Sequence, residues 1–295
     1  MRIRIQMLLP AALGMVAVSA AATTPNPTPN LKTGDYQAKW GILTVGDPSA
    51  YGRNNVSANI YPMTVHYDAT SGTYTVNDGQ QNINFSRSEY VAGSSSAAYT
   101  VYRDTATGGT LKLLNQGAAN PVIALTYVTY GKWSAKPQSP VVLNDNYVVF
   151  GSITPASAVP RSGSASYKFI VDGTYQLAGS PSGKTYALSG NGQLTANFAS
   201  ATTGITLTPV ATNTSNGSKI QFGTLTGAGF IDASTSGWNA TSRVREADGS
   251  KTLFSAQGNF FGPSAQELGG AFTLTKTLGT AEIGAGAGAI VGKKN

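Results

Sequence analysis

GNFFGPSAQELGG, residues 258–270, lies between two runs that alternate as β-strands do: TLFSAQGNFF (252–261) before it and GAFTLTK (270–276) after it. Gly262 turns the chain. Pro263 suits the first position of a helical turn, where its missing N–H loses no partner. Ser264 to Leu268 supply that turn, with Ala265 inside it, and Gly269 suits the left-handed residue that ends it. Gly270 admits the next strand close by. Leu268, Phe260 and Phe261 pin the turn to a core, and Glu267 satisfies free backbone N–H groups nearby. This is a strand–turn–strand joint. As a general acid Glu267 would need a partner group, and the flanking sequence supplies none.

The same punctuation runs along the whole chain. Of 295 residues only 11% are charged, 35 are glycine and 41% are hydrophobic. That mixture favours many short strands with tight turns and carries enough apolar residues to fold. In YPMTVHYDA (61–69) strict alternation puts Tyr61, Met63, Val65 and Tyr67 on one face and Pro62, Thr64, His66 and Asp68 on the other. Further strands are expected at 71–79, 97–104, 110–114, 122–133 and 146–154, with turns at Asn77-Asp78-Gly79 and Asn144-Asp145-Asn146. TPASAVPRSGSAS (154–166) is small, Pro-containing and nearly uncharged, and marks a domain boundary. After it come 166–173, 184–190, 193–199, 204–210, 219–223, 228–233, 252–261, 270–276 and 288–294, strands at a spacing that suits a closed antiparallel barrel of about eight strands.

The first residues read as a leader. Arg2 and Arg4 precede an apolar run over 7–19, and Ser19-Ala20-Ala21-Ala22 offers a small-residue cleavage site. The expectation is a signal peptide over 1–22, a Pro/Asn/Thr tether over 23–30, a β-rich domain over 31–153 and a barrel over 160–295. Cysteine is absent, which excludes disulfides, a thiol nucleophile and a lipid-acceptor cysteine. The expected product is exported without a lipid anchor, either extracellular, at the outer-membrane surface or periplasmic. The formal charge of +7 is scattered, with no basic stripe interleaved with aromatics, so nucleic acid is not the expected partner.

GNFFGPSAQELGGAF (258–272) resembles the barrel signature of the transferrin-binding protein B-like family, carried here by Gly258, Phe260, Phe261, Gly262, Pro263, Ala265, Glu267, Leu268, Gly269 and Gly270. SGSASYKFIVDGTY (162–175) is similar to the opening of that barrel, GNGQLTANFASATTGITL (190–207) to its next hairpin and GAIVGKK (288–294) to its last strand. YVTYGKW and YVVFGSITPASAVP are similar to the passage between the two domains. The resemblance covers most of 120–295. It implies an all-β protein: a β-rich handle domain followed by an eight-stranded antiparallel barrel with a short helical turn. It also implies a Gram-negative surface or secreted binding protein, not an enzyme, that takes an iron source (a metalloprotein or haem) and hands it to an outer-membrane transporter. A monomer is expected. The competing reading is an adhesin or structural surface protein that presents loops on a barrel.

The chemistry-bearing residues are few. His66 is the single histidine, so a zinc site lacks ligands and a Ser-His-Asp triad would have to be built on it. No catalytic residue and no metal site are expected, and no cofactor is required. For haem, His66 is the candidate axial ligand, with Tyr61 and Tyr67 to flank it or ligate instead. The alternation that sets both tyrosines opposite His66 weighs against one shared pocket.

Overall fold

A computed structural model describes residues 31–46, 56–77, 82–134, 141–179 and 185–295. The leader, the tether and the Asp78-Gly79 part of the first expected turn lie outside the described residues. Among those described, no helix is long and apolar enough to cross a membrane.

The chain forms two antiparallel sheets. The first holds β1 (Gly34–Gly46), β2 (Val56–Asp68), β3 (Thr73–Asn77), β4 (Asn82–Phe85), β5 (Tyr99–Arg103), β6 (Thr110–Leu114), β7 (Val128–Ser134) and β8 (Val141–Gly151), in the order β4-β3-β2-β1-β8-β7-β6-β5. The second holds β9 (Ser164–Leu177), β10 (Thr185–Asn197), β11 (Thr202–Asn213), β12 (Lys219–Gln221), β13 (Leu225–Asp232), β14 (Gly237–Arg245), β15 (Lys251–Phe261), β16 (Glu267–Leu278) and β17 (Ala281–Lys294). Its order is β10-β9-β17-β16-β15-β14-β13-β11-β12, and a β10–β11 ladder closes it. Eight strands thus form a barrel, and β12 is a short attachment to β11. Closure removes the free edges of a sheet.

The barrel is filled. Tyr167, Phe169, Tyr175, Phe254, Phe260 and Phe272 are buried in one cluster with Leu188, Leu194 and Trp238. Phe254 stacks on Phe272 with centroids 5.4 Å apart. Rings of this size bury far more surface than aliphatic side chains and account for most of the core's driving force. The first sheet encloses a core of its own around Tyr67, Tyr74, Phe85, Trp133 and Phe150. Its opposite face lies on the outer wall of the barrel: Tyr130, Tyr147 and Val149 meet Phe261 and Val291, and Leu43 and Val45 meet Ala285 and Ala287.

Four sequence expectations change. Of the expected 122–133 strand, only the part from Val128 is β7. Asn144-Asp145-Asn146 is not a turn but part of β8, opposite Thr44, Leu43 and Ile42 of β1. Its polarity is absorbed by partners: Asp145 pairs with Lys132, and Asn146 accepts from Trp40 Nε1 and donates to the Trp133 carbonyl. The runs 184–190 and 193–199 merge into β10, because Gly192 faces inward where a Cβ would meet the Phe169 ring at 2.3 Å. The 263–268 segment is a non-helical turn: Ala265, not Gly269, takes the left-handed conformation (φ 57°), and Glu267 already begins β16. The brief helical pieces are 3-10 turns at Arg87–Glu89, Ala92–Ser94 and Ala156–Ala158.

Aspartates close several hairpins. Hydrogen bonds from Ser71, Thr107, Ser234 and Ser250 lead the causes that lower the pKa of Asp68, Asp104, Asp232 and Asp248 respectively. Their contribution is full above the ordinary aspartate range and is lost as pH falls through the lowered values.

Gly269 tests the contact between the sheets. A Cβ there would sit 2.6 Å from Val128 Cγ2 and 2.9 Å from Val149 Cγ1. Gly269→Ala is expected to cost about 1–3 kcal/mol through overpacking, read as a lower Tm in thermal unfolding. An unchanged Tm would mean that the first sheet shifts freely on the barrel.

Candidate ligand-binding cleft

The passage between the sheets is clasped by the strand that precedes the 262–265 turn. Thr154 N–H donates to the Phe260 carbonyl and Gly262 N–H to the Ser152 carbonyl, so 152–154 runs beside the end of β15. Strand alternation then splits the two aromatics. Phe260 enters the barrel core against Tyr167 and Phe198, while Phe261 faces outward against Val128, Tyr130 and Val149. One dipeptide therefore serves both cores.

Glu267 locks the same joint. Its Oε1 accepts from Thr126 N–H at 2.7 Å, and its Oε2 accepts from Tyr127 and Val128 N–H at 2.8 and 3.0 Å. These amides lead into β7 of the first sheet. The side chain does satisfy free N–H groups, as the sequence suggested, but they come from the other domain. Burial dominates and raises the carboxyl pKa, opposed by the three amides and by Lys293. A buried polar seam continues the contact. Tyr130 OH donates to Asp172 Oδ2 at 2.6 Å, and Lys132 Nζ pairs with Asp145 at 2.7 Å. Thr174 Oγ1, on β9, donates to Asp145 at 2.7 Å and accepts from Tyr147 OH. Burial drives the Tyr130 and Tyr147 pKa well above the usual phenol range, so both remain hydrogen-bond donors.

With the two bodies fixed, a cleft of about 590 Å³ opens between them. One wall is the β1–β2 ladder, with Gln37, Lys39, Pro62 and Thr64; the other is β13–β15, with Phe230 and Gln257. Trp238 lies buried beneath the barrel wall, its Nε1 donating to the Asn259 carbonyl at 3.1 Å. The β13–β14 ladder is interrupted here: Phe230 N–H goes to Asn239 Oδ1 at 3.1 Å. The side-chain partner replaces a main-chain one, and Phe230 faces outward with 58% of its surface exposed. An exposed aromatic among amide side chains is the composition of a recognition surface. Lys39 is on the same wall and makes no ion pair among the described residues.

The sequence-derived ligand candidates do not converge. His66 sits opposite Asp35 in the β1–β2 register, and its Nδ1 donates to Asp35 Oδ1 at 2.7 Å. Both side chains are solvent-exposed. Tyr67 points into the core of the first sheet, 4.7 Å from the Tyr74 ring, with no surface exposed; burial raises its pKa. Tyr61 is exposed and packs on Trp40 at 5.7 Å, one residue before Pro62 of the cleft wall. Alternation foretold the separation of His66 from both tyrosines. Phe230 is not among the sequence-derived candidates; its exposure follows from alternation with Ile231, which points into the barrel core. Among the described residues there is no cluster of three or more His, Asp or Glu able to hold a metal.

Residues 159–291 match the model of a family described as the C-lobe and N-lobe β-barrels of Tf-binding protein B. No curated protein matches the chain. Among solved structures, a transferrin-binding protein B mutant from Haemophilus parasuis is 13% identical, covering 90% of this chain and 77% of its own, at a TM-score of 0.43. The isotype 1 protein from serogroup B Neisseria meningitidis is 13% identical over 87% of this chain and 43% of its own, at 0.44. The N-lobe of lactoferrin binding protein B from Moraxella bovis is 11% identical over 88% and 99%, at 0.37. Those likenesses are too low to argue from, and the family match is confined to the barrel residues 159–291.

Glu267→Ala removes the acceptor of the buried Val128 N–H and of the part-buried Thr126 and Tyr127 N–H groups and is expected to cost about 1–3 kcal/mol, read by denaturant unfolding. Glu267→Gln adds a pH test. A raised native pKa means that the folded protein holds a proton that the unfolded chain has released. The stability from this group is therefore lost as pH rises from the ordinary glutamate value through the raised one. The wild type's margin over Glu267→Gln should shrink across that window, and a flat margin would show that the amides and Lys293 fully offset the burial.

Proposed function

We propose, for a chain whose barrel belongs to the transferrin-binding protein B-like family, an exported, non-catalytic protein that captures an iron source in the cleft between its two domains. The observation that carries this reading is the family match over 159–291. Recognition falls to the outer surface because aromatic side chains fill the barrel core. The cleft combines an exposed Phe230, amide side chains and the Lys39 amine, a set that suits a folded protein surface better than a small apolar molecule. The joint at Glu267 holds its two walls in place before binding, which lowers the ordering cost of association. A surface or secreted location and handover of the iron source to an outer-membrane transporter complete the reading.

One observation favours haem as a second iron source. Asp35 accepts from His66 Nδ1–H, which leaves Nε2 as the available lone pair, the carboxylate–histidine arrangement that supports ligating imidazoles. Tyr67 has no access to a ligand at that position.

Binding of the purified chain to immobilised iron-loaded transferrin and haemoglobin, alongside a haem titration followed by visible absorption, separates these readings. For a protein ligand, Phe230→Ala is expected to weaken binding about tenfold or more and His66→Ala to leave it unchanged. For haem, a saturable absorption shift is expected that His66→Ala removes. A chain that binds none of the three belongs to the adhesin class instead.

A further inference from the structure

A second concave surface lies away from the cleft, on the outer wall of the barrel. It is a groove of about 630 Å³ over β9, β10 and β11, bordered on one side by the strap that leads into β7. Ile123 of the strap and Ile170 of β9 supply apolar lining, and the exposed Thr206 and Thr208 of β11 line the same groove. Lys168 and Lys293 line the same groove and stand directly opposite each other in the β9–β17 ladder.

That lysine pair is the informative feature. Like charges directly opposite on neighbouring strands repel. Among the described residues neither amine makes an ion pair. Glu267 is the cross-strand neighbour of Lys293, but both its oxygens are engaged by the amides of 126–128. Lys294 follows on the same strand and borders an adjoining depression that Lys293 also lines. The wall is thus positive at one end, with no counter-charge bonded to it, and apolar alongside. The strap is braced and can serve as a rigid lip. Asn120 Nδ2 donates to the carbonyls of Ala98 and Asn115, and its Oδ1 accepts from the N–H groups of Val122 and Ile123.

We propose that this groove binds a free single-chain amphiphile with a carboxylate head, a fatty-acid-like molecule. The head would lie between Lys168 and Lys293, and the chain along Ile123 and Ile170, with Thr206 and Thr208 alongside. A mainly apolar pocket of this volume with a few convergent polar groups is the usual form of a small-ligand site. A carboxylate shared by two amines replaces their repulsion with charge-assisted hydrogen bonds. A hydrophilic anion would leave the apolar lining unused, and a neutral lipid would leave the lysines facing each other. The assignment does not depend on which iron source the cleft takes.

The test is a fluorescence titration of the full chain with dansyl-undecanoic acid, with its methyl ester as the neutral control. The acid is expected to bind saturably, with the ester at least tenfold weaker. Lys168→Gln/Lys293→Gln should also weaken the acid about tenfold or more. Both lysines are exposed, so that variant should fold normally, which its thermal unfolding checks. Phe230→Ala, in the other cleft, should bind the acid as the wild type does. Absence of saturable binding, equal affinity for acid and ester, or full affinity in the double lysine variant would overturn the proposal. So would flotation with anionic vesicles without binding of the free acid, an outcome that would make the lysines a membrane contact.

Discussion

A single buried carboxylate couples the two halves of this molecule. Withdrawing Glu267 from water is costly, and three backbone amides in a row offset that cost only if they sit where both oxygens can reach them. The requirement is geometric. It fixes the entry of β7 against the start of β16, and hence the first sheet against the barrel wall. Hydrophobic contact alone would tolerate sliding, since Leu43, Val45, Ala285 and Ala287 present smooth apolar surfaces. The hydrogen-bonded carboxylate and the Asp145–Lys132–Thr174 seam supply a directional constraint that such surfaces lack.

The local sequence around Glu267 serves the same end. Phe260 and Phe261 face opposite ways because strand side chains alternate, so the joint is anchored in two cores by adjacent residues. Gly262 turns the chain at φ 84°, and a side chain there would strike the Tyr127 ring at 2.6 Å. Gly269 leaves room for Val128 and Val149. The density of glycine in this stretch reflects close approach of the other domain more than freedom of the backbone.

This explains what could be read before the structure and what could not. The all-β class, the eight-stranded closure and most barrel strands follow from period-two alternation and turn residues. The joint followed from its motif, although its turn proved non-helical. Where polar residues are buried with partners, the same rules fail: Asn144-Asp145-Asn146 has turn composition, yet Lys132, Trp40 and Trp133 satisfy two of its side chains within a strand. Inward glycines mislead in the opposite way, since Gly192 marks space occupied by a ring and not a break. β1, β4 and β14 lie outside the expected strands, although β14 alternates: Trp238, Ala240 and Ser242 are buried, and Asn239, Thr241 and Arg243 are less so. The cleft and the lysine pair depend on which strands become neighbours, and a linear sequence does not hold that information without the ladder.

A filled barrel also constrains how such a chain can evolve recognition. With aromatic side chains packed through the interior, a ligand cannot enter without dismantling the core, so new specificity has to be written on outward-facing positions. Those alternate along every strand and are free of packing demands except where the first sheet covers them. The cleft and the lysine groove lie on either side of that covered strip, at β13–β15 and at β9–β11. The covering sheet thus has two roles. It removes the middle of the wall from water, and its borders turn convex barrel surface into concave surface. Changes at Phe230 or Lys168 can therefore alter what is bound without touching the carboxylate that holds the two domains in register.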